Sequence, residues 1–204
     1  MNKGKRVGLA AVCAAFMVAE AILIIASWLL SATMTDGVRS LLSSEGIRWF
    51  FGSFSQMLAS PLLVWLILLL IAFGSFQKSG AVGLLTSRVP LSYRDRLALR
   101  IAFAFLALLI LVIALLTVVP HAILLSVTGE LFPSPFSRSL VPVIAFGVCI
   151  FSVTFGVMSG KLRTLSDVLH ALSFGVEKGA SLFILYILAV QFFESLRFVF
   201  GDIG

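Results

Sequence analysis

Glu20 is the residue whose type and position most directly suggest chemistry. It stands near the middle of a run from Val7 to Leu30 that is otherwise apolar. A carboxylate at bilayer depth costs at least about 2.5 kcal/mol on insertion scales, so it must face protein or water, or hold a proton. Two roles are open to it. It is either an acid that couples ion or proton movement, or a protonated side chain that hydrogen-bonds to a neighbouring helix and stabilises packing. The packing role carries more weight, because no other charge stands near the middle of an apolar run to partner it.

Other reactive side chains lack the company their chemistry needs. Ser31, Ser43, Ser44 and Ser126 have no His or Asp at a supporting position, and a serine without a base is inert at neutral pH. His121 follows Pro120 at the end of an apolar run and His170 lies in an amphipathic stretch, so both read as interfacial. Cys13 and Cys149 lie inside apolar runs without CxxC or Cys/His spacing, which supports neither a disulfide nor a metal site. Gly74, Gly80 and Gly83 do not open a helix after a strand, so no phosphate loop is implied. No cofactor is called for, and an enzyme reading has no footing. Gly156-Val-Met-Ser-Gly160 is a GxxxG match that would permit a close helix approach. Glu194 and Arg197, three apart, are expected to pair weakly at an interface.

The elements that must position these residues follow from composition. The chain has 204 residues, 60% hydrophobic and 12% charged, with a mean hydropathy of +1.15. A soluble domain is about 45–50% apolar and about 25% charged, so too little polar surface exists to coat a globule. A net charge of +6 would suggest nucleic acid in a soluble protein. Here the basic residues fall between apolar runs, where membrane topology accounts for them and no nucleic-acid partner is implied. The first run follows Lys3, Lys5 and Arg6, but a signal peptide's apolar region is only about 7–15 residues. A retained helix is expected.

A window reading gives an all-α polytopic membrane protein forming a single membrane domain over 1–204, its partner the lipid bilayer. Five spans are expected, at about 7–30, 55–76, 97–119, 140–158 and 179–200. Backbone groups in lipid must bond internally, which long apolar runs achieve as helices. Lys and Arg concentrate before the first span and in the second and fourth connections. That asymmetry predicts an inside N-terminus and an outside C-terminus. Residues 36–51 and 164–178 read as amphipathic surface segments, the latter with Leu165, Val168, Leu169 and Leu172 on one face and running into the fifth span. Gln77-Lys78-Ser79-Gly80 suits a helix stop. Phe132-Pro-Ser-Pro-Phe136 reads as a stiff loop, while Pro61 and Pro142 lie near span starts, where proline is tolerated.

Five segments in order resemble the aminobenzoyl-glutamate transporter family. Ser44-Glu45-Gly46-Ile47-Arg48-Trp49-Phe50 is similar to that family's Glu-Gly-Leu-(Arg/His)-Trp element before a span. Pro61-Leu62, Gly74 and Lys78-Ser79-Gly80 resemble its Ala-Pro-Leu-Gly … Ser-Gly helix, with Gln77 where the family commonly has Glu. The stretch from Leu91 to Arg100 resembles a lead into a later span. Pro133-Ser-Pro135-Phe136 with Val141-Pro142 resembles the start of the next, and Ala189-Val-Gln191-Phe resembles the family's Ala-Gln-Phe. The resemblance implies an ion-coupled carrier of the bacterial inner membrane. Full-length members are larger and carry re-entrant hairpins that bind cargo, and these do not fit between the motifs present here. The retained spans correspond to the family's dimer-forming scaffold. Either a reduced transporter or a non-transporting scaffold follows, as a homodimer or beside a partner membrane subunit.

Overall fold

The computed structural model describes residues 3–33, 37–86, 92–118 and 135–201. Among the described residues there is no strand. The elements are α1 (Lys3–Ala32), α2 (Ser44–Leu58), α3 (Pro61–Lys78), α4 (Ala81–Thr86), α5 (Tyr93–Val118), α6 (Pro135–Ser159) and α7 (Leu165–Phe200). Five of them, α1, α3, α5, α6 and α7, are long and apolar enough to cross a membrane. The shortest, α3, has 18 residues, about 27 Å at about 1.5 Å per residue, against a hydrocarbon layer of about 30 Å. Large apolar side chains stand open along these helices, among them Val7 at 67%, Ile25 at 63% and Ile110 at 59%. Water would not tolerate such a surface, whereas acyl chains solvate it. The chain is an all-α multi-pass membrane protein, as its composition predicts.

Several boundaries differ from the hydropathy reading, each for a local reason. The second span begins at Pro61 rather than near 55, because the chain breaks between α2 and α3. Proline lacks the N–H a helix interior needs and pushes the preceding residue out of helical geometry, so it serves as a first helical residue. Tyr186 holds this break: its hydroxyl donates to Leu58 O at 2.9 Å and lies 2.7 Å from Ser60 Oγ. The outer segment expected at 36–51 becomes helical only from Ser44 and continues to Leu58. Ser43 sets its start, its hydroxyl accepting from the Gly46 N–H at 3.0 Å.

The fourth span, Ser139–Ser159, lies where expected, but the helix that carries it starts earlier. Pro135 opens α6, so Pro135-Phe136 is a first turn and not a loop, and Pro142, near the start of the span, lies inside the helix. Proline's fixed φ suits a first helical position. Residues 164–178 and 179–200 join in one 36-residue helix. Its start is a capping box in which the Thr164 N–H donates to Asp167 Oδ2 at 2.9 Å and the Asp167 N–H to Thr164 Oγ1 at 3.1 Å. The stop after Lys78 is as expected, with Gly80 at φ +77°. Pro120, His121, Ser126 and Pro133 lie outside the described residues.

The chain divides into two compact units, Met1–Leu63 with Lys178–Gly204, and Val64–Glu177. The first is built on Leu23, Leu41, Phe198 and Val199. Trp49 stacks on Phe198 with centroids 4.4 Å apart. The Arg39 N–H donates to Val199 O at 3.1 Å, and the Leu41 N–H donates to Ser27 Oγ at 3.2 Å. In the second, Ala81, Ala98 and Ala102 surround a fully buried Phe155. Small residues there allow close backbone approach, which is what drives helix association in lipid.

Candidate functional site

Glu20 meets the last third of α7 in the first unit. Ser195 Oγ donates to Glu20 Oε1 at 2.7 Å, and Gln191 Nε2 donates to Ser195 Oγ at 3.3 Å. Gln191 and Ser195 are one helical turn apart, so both project from the same face. Ser195 is fully buried and Gln191 is 8% exposed. Glu20 Oε2 and Gln191 Oε1 are buried without a partner. Phe16 packs edge-on against Phe192 and Phe193, at 5.7 and 6.4 Å. The arrangement is a short polar chain ending on one carboxyl within an aromatic and aliphatic surround. Sequence reading missed Ser195 because it looked for a charge; the available signal was the Gln191/Ser195 spacing of four.

The motif positions around α2 gather in the same unit in other roles. Glu45 lies 3.8 Å from Arg39, an exposed ion pair of small weight. Arg39 also lies 5.6 Å above the Phe198 ring. Gly46 is buried, and a Cβ there would come within 2.6 Å of the carbonyl oxygens of Ser40 and Leu41. Only glycine fits under that turn. Arg48 is exposed while Trp49 is half-buried on Phe198. Glu194 and Arg197 form no ion pair with each other; among the described residues the pair present is Arg39–Glu45. Three residues apart on a helix is reach enough, yet at an exposed position the gain barely offsets the entropy of holding both chains.

In the second unit the decisive residues are glycines. Gly74 of α3 and Gly175 of α7 touch backbone to backbone: a Cβ on Gly74 would lie 2.9 Å from Ala171 O, and one on Gly175 would lie 2.8 Å from Gly74 N. At the expected GxxxG, Gly156 is closely approached, since a Cβ there would lie 2.6 Å from Leu162 Cδ1 and 3.3 Å from Ser79 Cα, whereas Gly160 faces the Arg94 side chain. Gly160, at φ +77°, ends α6, and Gly156 O accepts from the N–H groups of Lys161 and Leu162, both at 2.9 Å. Ser79 is fully buried, its hydroxyl donating to Phe76 O at 3.0 Å and accepting from the Ala81 N–H at 3.3 Å. Lys161 Nζ donates to Gly80 O at 3.3 Å, and Arg94 Nε donates to Met158 O at 3.2 Å. Lys78 sits 4.2 Å over the Phe174 ring.

Among the hollows that open on the second unit are two of mainly apolar lining. One of about 400 Å³ is lined by α5 and α6 side chains such as Phe103, Leu106, Ile110, Ile144 and Phe151. The other, about 620 Å³, is lined by residues including Leu68, Phe105, Phe146, Cys149, Thr154 and Leu172. Neither presents a charged side chain. Among the described residues no cluster of His, Cys, Asp and Glu could hold a metal ion.

Comparison with known proteins yields no match to a curated protein or to a solved structure. A family model described as the AbgT putative transporter family matches residues 86–200. Pro133, Pro135, Phe136, Pro142 and Gln191 fall inside that match, whereas Glu45, Gly46, Arg48, Trp49, Pro61, Gly74, Ser79 and Gly80 precede it. More than half of the chain is covered, and the covered part includes three of the five membrane-length helices. This multi-pass helical chain belongs to the AbgT transporter family.

Proposed function

We propose that this protein is the lipid-embedded frame of an AbgT-type carrier, a single membrane domain that assembles as a homodimer or with a partner membrane subunit in a bacterial inner membrane. In this reading the N-terminus is inside, and the motif positions from Glu45 to Gln191 serve helix packing. The cargo class is the one the family resemblance implies, aminobenzoyl-glutamate and similar anionic aromatic amides. The observation that carries the reading is the apolar lining of both hollows in the second unit. An anionic cargo at the midplane needs backbone dipoles or polar side chains to replace its water. Phe, Leu and Ile offer none, and in the larger hollow Thr154 and Cys149 supply only a hydroxyl and a thiol.

The test is direct. Purified full-length chain in mild detergent should run as a dimer, and in proteoliposomes it should take up no labelled aminobenzoyl-glutamate, with or without an imposed ion gradient. Saturable uptake by the chain alone would replace the frame with a self-sufficient carrier. A monomer that gains no partner when co-expressed with a longer family member would remove the frame reading altogether.

A further inference from the structure

We propose that one edge of α2, carrying Glu45, Arg48, Gly52, Ser55 and Gln56, is a seam that closes against the same edge of a second copy of this chain. The depth of α2 follows from its contacts within the first unit. Trp49 stacks on Phe198, and the Leu58 carbonyl accepts from the Tyr186 hydroxyl. From 49 to 58, α2 therefore advances about 14 Å while its α7 partners run back from 198 to 186, about 18 Å. The two helices are antiparallel neighbours. α1 flanks the same stretch of α7, with Phe16 on Phe192, Glu20 on Ser195, and Leu23 in the cluster that holds Phe198 and Trp49. Val7–Ala32 of α1 is long and apolar enough to cross a membrane. α2 thus stands alongside crossing helices, at hydrocarbon depth, and does not lie flat across their ends.

Two edges of α2 stay open there, and they differ. Ile47, Phe51 and Phe54 form an apolar edge, Phe51 being 78% exposed, and acyl chains solvate it. Glu45, Arg48, Gly52 and Ser55, spaced three, four and three, form the other edge with Gln56 beside them, and all five are exposed. Arg48, Ser55 and Gln56 make no side-chain hydrogen bond or ion pair among the described residues. Such groups are costly to leave bare against hydrocarbon. A second copy suits them. Acid, base, hydroxyl and amide on one edge supply both donors and acceptors, so the edge complements itself, as a closed twofold contact requires. An axis along the membrane normal sets the two α2 helices parallel, with Gln56 facing the partner's Gln56 and Arg48 within a turn of the partner's Glu45. Gly52 marks the crossing. A Cβ there would meet nothing within 4 Å, so no contact inside this chain calls for glycine in mid-helix, where it weakens the helix. In lipid, small residues let two helices approach and polar side chains bond across them.

The inference rests on the homodimer of the frame reading and names its contact. Cysteine cross-linking of the full chain in native membranes, with Cys13 and Cys149 replaced by Ser, tests it. A disulfide needs Cα atoms within about 7 Å, so residues on a twofold seam link to their own copies. Arg48→Cys and Ser55→Cys should each give a covalent dimer on oxidation, whereas Phe51→Cys and Phe54→Cys, on the lipid edge, should give none. Adding Gly52→Leu to Ser55→Cys should abolish the dimer band and leave a monodisperse monomer, since the space at Gly52 is open. A chain that is dimeric in mild detergent yet links equally from both edges, or from neither, would overturn the seam and leave the frame intact. So would a dimer band that survives Gly52→Leu. A band joining Ser55→Cys to a different protein would give the edge to a partner subunit. Ready labelling of Ser55→Cys by a water-soluble maleimide, with no dimer, would make it the wall of an aqueous cavity. Either result overturns the proposal.

Discussion

Gly175→Val should cost the second unit its tightest helix contact and lower its melting point by several degrees. A Cβ on Gly175 would land on the Leu70 carbonyl oxygen and lie 2.8 Å from Gly74 N. Both obstacles are backbone, so no rotamer change relieves the clash and α3 must separate from α7 by the width of a side chain. Helix association in lipid has little hydrophobic drive, because acyl chains are as apolar as leucine, and rests on packing between close surfaces. Separation forfeits that packing along the seam, a loss of about 3 kcal/mol at the upper end of overpacking costs. Cys149 offers a probe: it is half-buried beside Ser75, with Sγ 3.8 Å from the hydroxyl. In a background with Cys13 replaced by Ser, thiol labelling against temperature in mild detergent reports opening of the unit. A melting point equal to the wild type would refute the tight crossing.

Phe155→Ala should be the most damaging truncation in the same unit. Phe155 is fully buried with Ala81, Ala98 and Ala102, which are too small to close over the space it leaves, while Phe76, Leu99 and Phe151 pack at the edge of the cluster. In a soluble core this change costs about 3–5 kcal/mol, part transfer and part cavity. In a bilayer the transfer part largely cancels, since the side chain leaves one apolar medium for another, and a cavity term of about 2 kcal/mol remains. Lys161 Nζ, 5.3 Å above the ring, also loses its aromatic face, worth about 0.5–1 kcal/mol at an exposed site. Phe155→Leu should recover most of the loss in the Cys149 assay. Equal melting of the two variants would mean the neighbours collapse into the gap.

What hydropathy could read in this chain was length. Each of the five apolar runs is long enough to cross, and each appears as a helix of the expected kind. The ends escaped it because they are set by hydrogen bonds that hydropathy does not count. Ser43 on the Gly46 N–H starts α2, and Tyr186, distant in sequence, holds the break before Pro61. Pro142 does lie near the start of the fourth span, yet the helix begins a turn or more before it, at Pro135. Glycine misled in a similar way. The regular spacing of Gly156 and Gly160 suggested a seam, but only Gly156 is approached by another backbone, at Ser79, and a positive φ makes Gly160 a terminator. The crossing uses Gly175 with Ala171, a spacing of four equally visible in the sequence, against a lone Gly74 that no local pattern marks. Glu20 was legible as an oddity, since one carboxylate in an apolar run stands out. Its neutral partners were not, because Ser195 and Gln191 acquire meaning only when α7 lies against α1.

The left-handed glycines of the second unit have an electrical corollary. At Gly80 and Gly160 the volume a side chain would occupy is taken by Lys161 and Arg94, each donating to a carbonyl at or near a helix end. Helix C-termini gather partial negative charge, so these cations act as built-in counter-ions and much of their field closes on the protein itself. The rim of the second unit therefore shows anionic headgroups less positive potential than its tally of Lys and Arg implies. Dissolved salt, which screens exposed charge within about 10 Å at 0.1 M, can loosen that fastening. It has no purchase on the glycine contact deeper in the unit.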